Sequence, residues 1–209
     1  LLPLVARLSG GTPAASSRPR ALVLVPTREL AQQVQESLAP LAKAAGLTSR
    51  TVFGGVGQGP QVQSLRQGVD VLIACPGRLE DLIKQGHCRL DRIEIAILDE
   101  ADHMADLGFL PAVRRLLTAT PKGGQRLLFS ATLDKAVDVL VRQFLDQPVT
   151  HEADSPQSPV KQMDHHVLRL AREHRLPTLV DLTSAPGRTV VFTRTKRQAQ
   201  RVADDLSER

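Results

Sequence analysis

Ile93-Glu94-Ile95-Ala96-Ile97-Leu98-Asp99-Glu100-Ala101-Asp102 is the stretch on which the fold turns. An apolar run ends abruptly in two acids, a small residue and a third acid. The run reads as a strand buried in a sheet. A buried strand that delivers adjacent carboxylates at its C-terminal edge is how a nucleotide-hydrolysing α/β protein places a metal ion and a water.

The chain on either side supplies the rest of such a sheet. Upstream, residues 69–74 form an apolar run, and Cys75-Pro76-Gly77-Arg78 opens a helix with proline where its missing N–H costs nothing. Residues 48–53 read as a strand running into Gly54-Gly55, with a short helix over 62–67. Residues 21–25 are a continuous apolar strand stopped by Pro26. Thr27 then caps a helix that places Leu30, Val34, Leu38 and Leu41 on one face. Pro40 is expected to kink or split that helix, and Gly46 to end it. Downstream, a helix over 110–118 precedes a strand over 125–129 that ends in Ser130-Ala131-Thr132. Asp134 caps a helix to Leu145, and Val149 begins a short edge strand. Strands and helices alternate with no hairpin signal, which predicts an α/β fold with a doubly wound, mostly parallel sheet. Every polar cluster lies just after a strand, at the edge where open α/β sheets bind ligands.

The pattern breaks once. Asp154-Ser155-Pro156-Gln157-Ser158-Pro159 is polar, proline-rich and aperiodic, so residues 154–160 read as a linker after a first domain over 1–153. Alternation restarts over 161–209, with strands at 163–170 and 189–192 and helices over 172–182 and from Lys196. Too little chain remains there to bury a sheet on both faces, which marks it as the beginning of a second domain.

Composition sets bounds. Of 209 residues, 42% are hydrophobic and 23% charged, which is ordinary for a globular protein. Five Phe with no Tyr or Trp force an aliphatic core and argue against aromatic base stacking. The formal charge of +5 favours a polyanionic partner. Cys75 and Cys88 have no metal-ligand spacing, which suits a reducing, cytoplasmic setting. No apolar run approaches the roughly 20 residues that span a bilayer. Abundant Ala, Arg and Leu hint at a GC-rich bacterial source.

Five clusters thus stand at strand ends: Pro26-Thr27-Arg28-Glu29-Leu30, Gly54-Gly55, Pro76-Gly77-Arg78, Asp99-Glu100-Ala101-Asp102 and Ser130-Ala131-Thr132. In this order they resemble the DEAD-box family of ATP-dependent RNA helicases, along essentially the whole chain. The resemblance implies a RecA-like sheet followed by the start of a second RecA-like domain. It implies ATP and Mg²⁺ as cofactors, with Asp99 on the metal and Glu100 orienting or deprotonating the attacking water. It implies that Asp102 hydrogen-bonds Ser130 and Thr132, coupling the nucleotide site to domain movement. Pro26, Thr27, Arg28, Glu29, Gly54, Gly55, Pro76, Gly77 and Arg78 would face RNA. Glycines let backbone amides approach phosphate, helix starts offer a positive dipole end, and arginines add charge. Such contacts grip the sugar-phosphate backbone and read no sequence. Thr189-Val190-Val191-Phe192-Thr193-Arg194-Thr195-Lys196 resembles the first motif of the family's second domain, which adds Arg194, Thr195 and Lys196 to the RNA contacts. A monomer is expected.

Two departures stand out. The family usually has Thr at the position of Cys75, and a thiol is the weaker hydrogen-bond donor. His103 sits beside the acids, at a position that is variable and solvent-side in the family rather than a metal ligand. The family's phosphate-binding G-x-x-x-x-G-K-[ST] loop also occurs nowhere in these 209 residues. The chain reads as beginning a few residues after that loop, with Leu1 to Leu8 as the end of a buried helix and not a signal peptide. The arginines that stabilise the transferring phosphoryl group, worth roughly 10³–10⁵ in rate, are likewise expected beyond it. The 209 residues alone are therefore expected to turn over no ATP. An ATPase assay with RNA checks this, and turnover abolished by Glu100→Gln would contradict it. The residues leave two alternatives: a non-enzymatic nucleic-acid-binding fragment, and an unrelated α/β hydrolase or transporter ATPase that would leave Arg28, Gly54-Gly55 and Gly77-Arg78 unexplained.

Overall fold

A computed structural model describes residues 1–152, 164 and 166–207. The chain divides into two compact units, Leu1–Thr150 and His151–Arg209. In the first, five strands form one sheet: β1 (Ala21–Leu24), β2 (Ser49–Val52), β3 (Val71–Ala74), β4 (Ile95–Leu98) and β5 (Gln125–Leu128). Their order is β2-β3-β1-β4-β5 and every pairing is parallel. All five C-terminal ends therefore share one edge.

The apolar runs form strands because both faces are covered. Side chains alternate across a strand, and the core splits accordingly. Leu22, Leu24, Leu72, Ala74, Ala96 and Leu98 point to one face. There they meet α3 (Gly59–Arg66), α4 (Pro76–Lys84), α5 (Ala101–Asp106), α6 (Leu110–Thr118) and α7 (Lys135–Phe144). Ala21, Val23, Val71, Ile73 and Ile95 point to the other, against α1 (Leu2–Leu8) and α2 (Arg28–Ala44). This is the doubly wound α/β arrangement that the alternation predicts.

Pro40 does not split α2, which runs on to Ala44. Pro40 and Glu36 are exposed, so water can take the Glu36 carbonyl that proline leaves unbonded, while buried Leu38 and Ala42 hold both halves on the sheet. The short helix α5 was not foreseen. Its signal is the buried pair Ala101 and Met104, one turn apart.

Beneath the sheet, Asp70 is 4% exposed at the start of β3. Its Oδ1 accepts from the Ala14 amide (3.0 Å), and its Oδ2 from the Thr48 amide and hydroxyl (both 2.9 Å). Arg20 Nη1 lies 3.7 Å from Oδ1. One carboxylate thus ties the N-terminal loop, the entry to β2 and the entry to β3 together.

Among the described residues, three expected strands do not form. Val149 is 79% exposed and outside any strand. In the second unit, residues 166–170 and 189–192 have no regular structure, with Val167 96% and Phe192 92% exposed. An apolar run becomes a strand only where neighbouring strands take its amides and helices cover its faces. The second unit offers, among the described residues, a 3-10 turn (Arg172–His174), α8 (Arg175–Thr183) and α9 (Lys196–Ser207). The expected linker and Met163 lie outside the described residues.

Candidate functional site

The parallel sheet delivers all five first-unit clusters to its C-terminal edge and sorts them into two groups. Ends of β2, β3 and β1 carry Gly54-Gly55, Pro76-Gly77-Arg78 and Pro26-Thr27-Arg28-Glu29. Ends of β4 and β5 carry Asp99–Asp102 and Ser130–Thr132.

In the acidic group, Asp99 extends the ladder by donating its amide to Leu24 O (2.9 Å). Glu100 then takes a left-handed backbone, φ 50° and ψ 54°, which turns the chain sharply into α5. Its amide donates to Asp99 Oδ1 (3.1 Å). Partial burial pushes the Asp99 carboxyl up, the Glu100 amide opposes that rise, and the Glu100 charge adds to it. His103 Nδ1 lies 3.1 Å from Glu100 Oε2 across the first turn of α5. Sequence reasoning missed this contact, although a spacing of three on a helix puts two side chains on one face.

Asp102 binds the β5 end with both its backbone and its carboxylate. Its Oδ2 accepts from the Thr132 amide and hydroxyl, each at 3.1 Å. Its own amide donates to Ser130 Oγ (3.2 Å), and the Ser130 hydroxyl donates to Thr132 O (2.7 Å). Desolvation alone would raise the Asp102 carboxyl. Hydrogen bonds from the His103 amide, Thr132 and Ser130 outweigh it and hold the carboxyl below the usual range. The clasp is thus intact above the ordinary carboxylate range and is lost only as pH falls through that depressed value.

In the other group, Thr27 caps α2 by accepting from the Leu30 amide (3.2 Å). Arg28 is exposed and paired with Glu29 (2.9 Å). Its Nη1 lies beside Gly55, whose φ of +80° is the left-handed turn that favours glycine. Arg78 Nη2 donates to Val56 O (3.0 Å), fastening the third cluster to the glycine loop. Its Nη1 is buried without a partner. Gly77 is exposed at the start of α4, and Pro76 is buried there. Cys75 precedes them with no side-chain cap, its thiol pushed up to about 11 by burial and then by the Glu29 charge. Such a rise disfavours the thiolate that a nucleophilic cysteine needs. In the second unit Arg194 and Thr195 immediately precede α9, which Lys196 opens, and Thr195 Oγ1 accepts from the Gln198 amide (3.1 Å).

Beside Asp99, on the α1/α2 face, a cleft of about 480 Å³ opens between Leu4, Leu30, Val34, Ile97, Leu127 and Phe129. Asp99, at the strand end, thus lines a cleft large enough for a small molecule.

A model of the DEAD/DEAH box helicase family matches residues 1–140. The chain belongs to that family. Among DEAD/DEAH box helicases, it is 39% identical to DEAD-box ATP-dependent RNA helicase 5 of Oryza sativa subsp. japonica, over 98% of the chain and 41% of the rice protein. It is 38% identical to ATP-dependent RNA helicase RhlB of Pasteurella multocida, over 88% of the chain and 44% of that protein. The crystal structure of a DEAD box protein from Methanococcus jannaschii aligns with 99% of the chain and 54% of that structure, at a TM-score of 0.67 and 28% identity. The chain therefore spans about half, or less, of these DEAD/DEAH box relatives, and the five-stranded sheet is their RecA-like fold.

Proposed function

We propose that these residues are part of an ATP-dependent RNA helicase, supplying water activation, coupling and half of the RNA grip. The observation that carries this reading is the Asp102 clasp. Asp102, only two residues beyond Glu100, holds Thr132 through its carboxylate and Ser130 through its amide, and so ties the end of β5 to the acids. Any displacement at the acids is then felt at the neighbouring strand end.

Glu100 is the general base: its carboxylate is exposed at the strand edge, and His103 limits its rotation. Asp99 would hold Mg²⁺. Its Oδ1 is engaged by one amide, and its Oδ2 has no hydrogen-bond partner among the described residues. That suits a hard cation that takes one or two carboxylates and otherwise keeps waters and phosphate oxygens. The ion, when bound, neutralises charge developing on the phosphates. Arg28, Gly54, Gly55 and Gly77 grip the RNA backbone, and Arg78 shapes the glycine loop. Arg194, Thr195 and Lys196 extend the grip from a second RecA-like domain. Low cysteine content and Ala, Arg and Leu richness support a cytoplasmic bacterial protein. Among the described residues no helix is long and apolar enough to cross a membrane.

The test uses the protein that carries these residues. RNA-stimulated ATP turnover and separation of a short RNA duplex are measured with and without the double substitution Ser130→Ala, Thr132→Ala. Turnover is expected to persist while strand separation falls by about tenfold or more, as expected when more than ~1.4 kcal/mol of coupling is removed. No stimulation by RNA, or equal separation by both proteins, would refute the reading.

A further inference from the structure

At the opposite end of the sheet, a second cleft of about 900 Å³ opens where the chain enters β1, β4 and β5. Four arginines line it, Arg7, Arg18, Arg20 and Arg92, against two carboxylates, Asp91 and Glu94. Both acids are occupied: Asp91 pairs with Arg18 (3.5 Å) and Arg89 (3.1 Å), and Glu94 with Arg20 (2.8 Å). Arg7 and Arg92 are exposed and have no ion-pair partner among the described residues.

The floor is the informative part. Arg20 is 7% exposed. Its Nε donates to Glu94 and its Nη1 to Leu8 O (3.1 Å). Its Nη2 has no acceptor among the described residues, yet it is not sealed among the buried unpartnered atoms. Gly11 lies directly over it, and a Cβ there would collide with Nη2. Glu94 and, at 3.7 Å, Asp70 already balance the guanidinium charge, so Arg20 offers an unfilled donor beside a glycine, while the exposed Arg7 and Arg92 supply the positive charge that favours an anion. Between the arginines stand the apolar side chains of Pro13, Ala14 and Pro121, with Ile93 buried behind them.

We propose that this cleft docks an acidic, partly aliphatic peptide segment of a protein partner. A carboxylate reaches Arg20 Nη2, Arg7 and Arg92 flank it, and aliphatic side chains cover Pro13, Ala14 and Pro121. RNA fits less well: the arginines are interrupted by Asp91, Glu94 and apolar side chains, which gives no continuous track for evenly spaced phosphates, whereas a peptide can set acids at Arg7 and Arg92 and aliphatic side chains between them. The cleft also lies at the strand ends opposite the five helicase clusters, so docking there leaves them open. It goes beyond the helicase reading and does not depend on it.

The 209-residue chain, labelled with ¹⁵N, is titrated with an N-acetylated peptide of repeating Glu-Leu-Asp, with its Lys-Leu-Lys counterpart and with an oligouridylate. The acidic peptide is expected to give saturable shifts at the Gly11, Gly123 and Gly124 amides and at Arg20 Nε–H. The exposed double substitution Arg7→Glu, Arg92→Glu is expected to weaken it by about tenfold or more. An unchanged thermal midpoint verifies that the variant is folded, and Arg92→Glu alone gives a smaller loss in the same direction. Absence of shifts, equal shifts with the basic peptide, indifference to both variants, or displacement by the oligouridylate would overturn the proposal.

Discussion

Glu100→Gln, made in the protein that carries these residues, is expected to cut RNA-stimulated ATP turnover by about 10²–10⁴-fold, the range for removing a general base. RNA affinity should not change. The substitution keeps size and shape, so the left-handed backbone at Glu100 and the amide bond to Asp99 Oδ1 are unaffected. The amide oxygen of glutamine can still meet His103. Only basicity is lost, and the effect should sit in kcat rather than KM. Phosphate release at saturating ATP and RNA measures it, with filter binding of RNA beside it. Turnover within tenfold of the parent would remove Glu100 from the chemistry.

Asp70→Ala should produce the largest loss of stability, about 3–5 kcal/mol, as when one partner of a buried pair is removed. Three donors, from Ala14 and twice from Thr48, lose their acceptor in a nearly dry site. Arg20 loses a counter-charge at 3.7 Å. Asp70→Asn keeps the shape but turns an amide NH₂ toward some of those donors, so its loss should be smaller. Urea unfolding followed by circular dichroism reads both. A loss within the roughly 0.5 kcal/mol of an ordinary surface change would contradict the network.

The parts legible in sequence are those decided locally. The runs at 21–24, 71–74 and 95–98 are apolar on both alternations, which only a strand covered on both sides requires. The strand ends then named the polar clusters, because a parallel sheet brings them to one edge. What the sequence concealed depends on partners. The run at 190–192 is wholly apolar, as β1 is, but an isolated run has no ladder to join. Arg78 was legible as a cation at a helix start. That it reaches back to Val56 O depends on how the loop after β2 folds over α4. The cleft floored by Arg20 was invisible, since it joins residues from Arg7 to Gln125 through sheet order alone.

The left-handed backbone of Glu100 has a consequence for how this site can drift. A side chain in that region costs on the order of 1–3 kcal/mol, and glycine would relieve it. Stability and chemistry therefore pull in opposite directions at one codon. Selection for a more robust fold alone would move position 100 toward glycine, and any library screened only for thermal resistance should enrich inert variants there.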